Sequence, residues 1–205
     1  MAKLKKQHMT IHWKAIVQDD SSIPATEATL KEKATLVGRI GLMMLSVGTG
    51  AWRVRNSMNK VSRCLGITCT ADIGLLAISY TCIEGTDTYT QSISLPTTGV
   101  NTHKLMELEL FMKEFPDKVS TYSVKHIHEV LDEIQKLPAN YKAWNLGLAS
   151  ALACGAFTFL LGGGPVEMCC AFLGAGVGNF VRKKMLGHSI SLLANVAVSV
   201  AASCL

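Results

Sequence analysis

Few side chains in this chain stand at spacings that chemistry needs, and each such pattern has a plain alternative. His126 and His128 form an H-x-H, a pair of imidazoles of the kind that ligate metal ions. On a helix, residues two apart point to different faces, so the pattern predicts two solvated histidines beside Glu129 and no metal site. Cys169 and Cys170 are adjacent, cannot share one helix face, and have no base nearby in sequence. Packing is therefore expected of them, not nucleophilic catalysis. The run GAGVGN, Gly174 to Asn179, lacks the third glycine of G-x-G-x-x-G and follows no strand, so it is no dinucleotide loop and no cofactor is expected. Four polar groups remain inside an apolar tail: Glu167, Asn179, Arg182 and Asn195. Burying such groups in lipid without partners is costly. Glu167 and Arg182 are expected at the interface, while Asn179 and Asn195 either tie helices together or line a substrate path.

The elements that must position these groups divide sharply. From Trp144 to Leu205 the only ionisable side chains besides cysteine are Glu167, Arg182, Lys183, Lys184 and His188. That shift, near Pro138 to Tyr141, marks a boundary between a water-facing part and an apolar part. The net charge of +5 is modest and its basic residues form no stripe interleaved with aromatics, so nucleic acid is not an expected partner. Lys3, Lys5 and Lys6 precede no apolar core of signal-peptide length. The seven cysteines are odd in number and lack C-x-x-C spacing, and read as small hydrophobes in a reducing compartment.

Residues 1–26 read as a polar, flexible head. From Glu27 to Val47 a helix is predicted, since Leu30, Ala34, Val37, Gly41 and Met44 recur three or four apart while Lys31, Glu32, Lys33 and Arg39 lie mostly elsewhere. Gly48, Thr49 and Gly50 break it, and a second amphipathic helix carries Val54, Met58, Val61 and Leu65 on one stripe, with Gly66 as its stop. A β-hairpin follows, turning at Glu84 to Asp87. Two more helices are predicted at His103 to Phe115 and Ser120 to Leu137, separated by Pro116. Together, residues 27–140 make an α+β module.

Residues 141–205 are different in kind. Leu146 to Leu161 holds no charged residue, and with its flanks it reaches the roughly 20 residues that cross a bilayer. Predicted spans lie at about 143–163, 165–182 and 189–205, the first two joined by Gly162 to Pro165 and the second short enough to let Arg182 snorkel. A soluble helical hairpin is the alternative, but three apolar runs leave too little polar face to meet water. Gly147, Ala151 and Gly155 are four apart, and Gly174 and Gly178 form a G-x-x-x-G, spacings that let helix backbones approach closely in lipid. Arg182, Lys183 and Lys184 place that end in the cytoplasm, and a hairpin returns the α+β module to the same side. The last run stops at Leu205 without a polar flank, so the expectation is a multi-pass α-helical membrane region that is truncated or continued elsewhere.

Three stretches, Gly48 to Gly66, Thr97 to Phe111 and Val130 to Lys183, resemble in order and spacing the amino-terminal part of the threonine/serine exporter family. That part is similar to one subunit of a two-component bacterial succinate exporter. Family-like residues are Gly48, Arg53, Val54, Met58, Leu65, Gly66, Gly99, Asn101, Leu105, Pro138, Gly155, Gly163 and Gly164. One position departs: the family usually has an acid after the Arg-Val pair, and here it is Arg55. The resemblance implies a bacterial inner-membrane secondary exporter of threonine, serine or a dicarboxylate, with a second membrane subunit or another copy of itself as partner. Within that reading Arg53, Arg55 and Asn101 are the candidate contacts for substrate carboxylates, which a guanidinium fork suits; a solvated helix face and a loop cap are the alternatives. Two other classes stay open: a non-transporting scaffold, and a membrane-tethered hydrolase using Ser57, Cys64 or His103.

Overall fold

The computed structural model of the chain describes residues 13, 23–95, 98–137, 141–186 and 192–204, with the backbone alone at 186, 192, 193, 195, 203 and 204. Most of the expected polar head, Pro138 and the Asn195 side chain lie outside these residues. Two compact units divide the chain, residues 1–138 and 139–205.

In the first unit, helix α1 (Leu30–Ser46) opens on a capping box: the Thr29 hydroxyl accepts from the Glu32 N–H while Glu32 reaches back to the Thr29 backbone. It was expected to keep a charged face in water, yet Lys33 and Arg39 are buried along with Leu36, Val37 and Ile40. The reason is that α1 is wrapped by α2 (Ala51–Cys64), α4 (Val124–Lys136) and the sheet. Each buried cation is met: Lys33 Nζ lies 2.5 Å from Glu84 Oε1, and Arg39 pairs with α4, as described below. Gly38 and Gly41 make the wrapping possible. A Cβ on Gly38 would collide with the Tyr80 ring, and one on Gly41 would come within 2.6 Å of Met58 Sδ.

The sheet is a three-stranded antiparallel meander, β1 (Thr68–Ile73), β2 (Ala77–Glu84) and β3 (Asp87–Ser94), with β2 central. Only the β2–β3 hairpin was expected; β1 alternates polar and apolar residues, but its apolar Cys69 and Ala71 are small, so its pattern is faint. Cys69, Ile78, Tyr80, Cys82 and Ile93 face the core, whereas Thr81 pairs with Thr90 and Ser79 with Ser92 through exposed hydroxyls. Glu84 and Asp87 are register partners. They leave a two-residue turn in which Gly85 takes φ +60°, a value that side-chain-bearing residues avoid.

Helix α3 (Thr102–Lys118) runs straight through Pro116, where a break was expected. Proline removes the N–H that would bond the carbonyl four residues back, here that of Met112. Lys60 Nζ replaces it, donating to Met112 O at 2.8 Å. In α4, His128 is buried among Val124, Ile127, Leu131 and Ile134 while His126 is exposed. The expectation of two solvated histidines is therefore wrong for His128, which shares the apolar stripe of its helix.

In the second unit, α5 (Ala143–Leu160) and α6 (Pro165–Leu186) form an antiparallel hairpin, and α7 (Leu192–Cys204) packs on α6. Proline at the first position of α6 is preorganised for a helix start, and the helix continues past the expected end at 182. Among the described residues one helix, α5, is long and apolar enough to cross a membrane: 18 residues at mean hydropathy 1.4, of which 17% are buried. Leu148, Leu152, Phe157, Phe159 and Leu160 all face outward.

Candidate functional site

One candidate lies between α2 and α3. Arg53, Asn56, Ser57 and Lys60 recur three or four apart on α2, so they share a face. They line a groove of about 280 Å³ with Trp52, Glu109, Met112 and Lys113. Arg53 Nη2 donates to Glu109 Oε1 at 2.7 Å, both side chains about half exposed. Three cations thus meet one carboxylate, a balance that attracts an anion. Mutual attraction of so exposed a pair is weak, so Arg53 can exchange Glu109 for an incoming carboxylate with little loss.

The other two residues proposed for carboxylate contacts are not in this groove. Arg55, two positions on, points elsewhere and its Nε donates to Ala71 O at 3.2 Å, fastening α2 to β1. Asn101 is the N-cap of α3: its side-chain oxygen accepts from the Lys104 N–H at 3.1 Å. A cap of this kind stabilises the helix by about 1 kcal/mol. Ser57, Cys64 and His103 are joined by no hydrogen bond to one another among the described residues.

A second cluster escaped the sequence patterns. Arg39 is 1% exposed. Its Nη1 contacts His128 Nδ1 at 2.8 Å and donates to His128 O at 2.9 Å, while Nη2 pairs with Asp132 and reaches Gln135 Oε1 at 3.4 Å. Trp13 covers the group: the guanidinium lies 5.7 Å from its ring centre, and the His128 ring stacks on it at 6.3 Å. Burial, then the adjacent Arg39 charge, push the His128 imidazole down to about 4, against a smaller opposing pull from Asp132. Burial also lowers Arg39, opposed by Asp132. The signal that would have found this group is the spacing of His128, Asp132 and Gln135, which sets all three on the α4 face that carries Leu131.

A third arrangement holds the α5–α6 hairpin. Asn179 Nδ2 donates to Leu146 O across the helices at 3.1 Å, a tie of the kind that polar residues make in lipid. Gly147, Ala151 and Gly155 are the buried residues of α5, as their spacing suggested. A Cβ on Gly147 would lie 3.2 Å from Gly176 O, and one on Gly155 would be 3.6 Å from Met168 O. The facing stripe on α6 is therefore Met168, Phe172, Gly176 and Phe180. Gly174 and Gly178 stand two residues off that stripe, on the other side of the helix, so they do not form this seam. Cys169 and Cys170, expected to pack, are exposed. Glu167 lies in the first turn of α6, where the helix dipole favours an acid, and Arg182 lies exposed in the last part of that helix.

The family model of the ThrE threonine/serine exporters matches residues 35–205, well over half of the chain. No curated protein and no solved structure matches it.

Proposed function

The chain belongs to the threonine/serine exporter family, membrane proteins of amino-acid export, and on that premise we propose that it forms the amino-terminal part of a secondary exporter. The observation that carries the reading is the outward-facing apolar surface of α5, an 18-residue helix only 17% buried. A soluble core helix of that composition would be covered; one in a bilayer exposes its apolar side chains to lipid. The unit of residues 139–205 is a multi-pass region of the inner membrane. Arg182, Lys183 and Lys184 favour the cytoplasm for the end of α6, and the hairpin brings the amino-terminal unit to that same side. A second membrane subunit, or another copy of this chain, is its partner in the exporter.

The substrate is threonine or serine, gathered from the cytoplasm by the groove at Arg53. Its carboxylate displaces Glu109, because a bidentate pair with a guanidinium is stronger than the single exposed contact it replaces. A helical hairpin, α5 and α6 joined through the Gly162 turn, suits alternating access around a site near mid-membrane, and an ion gradient drives the cycle. The groove's three cations fit a dicarboxylate as well, so succinate belongs in the assay. The test is efflux from loaded cells. Arg53→Gln raises the substrate concentration for half-maximal efflux with the maximal rate little changed, whereas Asn179→Leu lowers the maximal rate. Unaltered kinetics in Arg53→Gln at matched expression would remove the groove from the mechanism.

A further inference from the structure

Beside the buried Arg39 cluster, and away from the α2–α3 groove, lies a small cavity of about 80 Å³. Its polar lining is Arg39, Ser46, Lys104 and Gln135; Trp13 forms one wall, and the rest is apolar side chains of α1, α3 and α4 together with Leu95. The lining contains cations and neutral groups but no acid. Arg39 has both Nη atoms engaged already, with His128, Asp132 and Gln135. Its Nε is buried and has no partner among the described residues. A buried N–H left without an acceptor is destabilising, and a charged one more so, so this donor calls for an acceptor. Lys104 Nζ donates to Gln135 O at 2.6 Å, which uses one of its three protons, and it faces no carboxylate among the described residues.

We infer that this cavity is a binding site for a small monocarboxylate, which accepts from the Arg39 Nε–H and the Lys104 ammonium. The alkyl part of the ligand rests on the apolar floor, and Trp13 closes the site. Size supports the class. One water needs about 10–15 Å³ of such space, and about 150 Å³ holds benzene, so the cavity takes a carboxylate and two or three attached carbons. A second carboxylate would meet apolar side chains, which disfavours dicarboxylates. The ligand has two possible sources, the transported amino acid itself or a short-chain acid of metabolism. Only the choice of threonine as a probe rests on the exporter reading.

The experiment uses the full chain in detergent with Trp52→Phe and Trp144→Phe, leaving Trp13 as the single reporter. Acetate, threonine, succinate and threoninol, which keeps the amine and hydroxyl but lacks the carboxylate, are titrated against Trp13 emission. Acetate is expected to give a saturable change, threoninol none, and succinate and threonine weaker ones, since the threonine ammonium finds no acid in the lining and the second carboxylate of succinate meets apolar side chains. Lys104→Gln weakens binding at least about tenfold, as loss of one charge-assisted hydrogen bond does. Tighter threonine identifies the amino acid as occupant and tighter acetate a short-chain acid; both carry the site. A Trp13 signal unmoved by any carboxylate, an equal response to threoninol, or undiminished affinity in Lys104→Gln overturns it. Threonine efflux measured on Lys104→Gln keeps the outcomes separate, since export that persists without binding at Trp13 leaves the transport reading standing.

Discussion

Acid should loosen the amino-terminal unit through one residue, His128. Burial, and then the adjacent Arg39 charge, hold the imidazole neutral against a weaker pull from Asp132, and its value falls from 6.5 to about 4. As pH drops below 6.5 the unfolded chain takes up a proton that the folded chain refuses. Stability therefore falls with pH across the window from 6.5 to about 4, and no contribution from this residue appears above pH 7. A shift of that size corresponds to about 3 kcal/mol at the bottom of the window, a large share of the 5–15 kcal/mol or so that holds a typical domain. Carboxylates in general also titrate near the lower end, so the effect must be read as a difference between proteins. His128→Gln is the comparison: it does not titrate, and its side-chain oxygen can accept from Arg39 Nη1. Denaturant midpoints of the full chain in detergent, followed by Trp13 and Trp52 emission in a Trp144→Phe background at several pH values from 7.5 to 4.5, give both profiles. The wild type should lose stability steadily below pH 6.5 while His128→Gln declines much less. Parallel profiles, or a wild type that gains stability on acidification, would refute the account of this cluster.

Other perturbations follow from single contacts. Lys60→Met strips the Met112 carbonyl of its only replacement donor and should destabilise the unit by about 1–2 kcal/mol; with Pro116→Ala the restored N–H should make Lys60→Met nearly neutral, and equal costs in both backgrounds would show that the lysine bond is incidental. Gly38→Ala forces a methyl into the Tyr80 ring, and overpacking of this kind lowers stability by about 1–3 kcal/mol, read as a shifted denaturant midpoint; an unchanged midpoint would mean that α1 and β2 are less closely packed than described. Gly147→Leu pushes a branched side chain against the Gly176 backbone and should part α5 from α6, lowering the melting temperature in detergent, whereas Gly174→Ala, off that seam, should be mild.

Much of this was legible in the sequence, and the exceptions share a physical cause. Long amphipathic patterns betrayed α1 and α2, and Gly85 beside Thr86 marked the hairpin turn. Strand β1 was missed because two of the three apolar residues that alternate with Thr68, Thr70 and Asp72 are the small Cys69 and Ala71, which leave a weak signal. Pro116 misled because local chemistry said break, while a lysine 56 positions away in the chain repaired the missing bond, as a sequence separation between residues 60 and 116 shows. At the candidate site, Arg53 was a candidate by its type and the family resemblance, and the fold places it in a groove beside Glu109. Asn101 could equally be a cap, and is one. The Arg39 cluster stayed hidden because a buried cation looks like a solvated one until its partners on α4, some 90 residues later, are brought alongside. The Gly147, Ala151 and Gly155 seam was visible from spacing, but which face of α6 it meets depends on helix rotation, which spacing alone does not fix.

The measurement that bears most directly on the account is threonine and serine efflux from proteoliposomes that contain the purified chain, alone and with a candidate second membrane subunit, under an imposed proton or sodium gradient. Succinate is loaded in parallel. Gradient-dependent efflux of threonine or serine above that of protein-free vesicles is the predicted result. No flux of any of the three under either gradient, from vesicles in which the chain is shown to be inserted and folded, would contradict it.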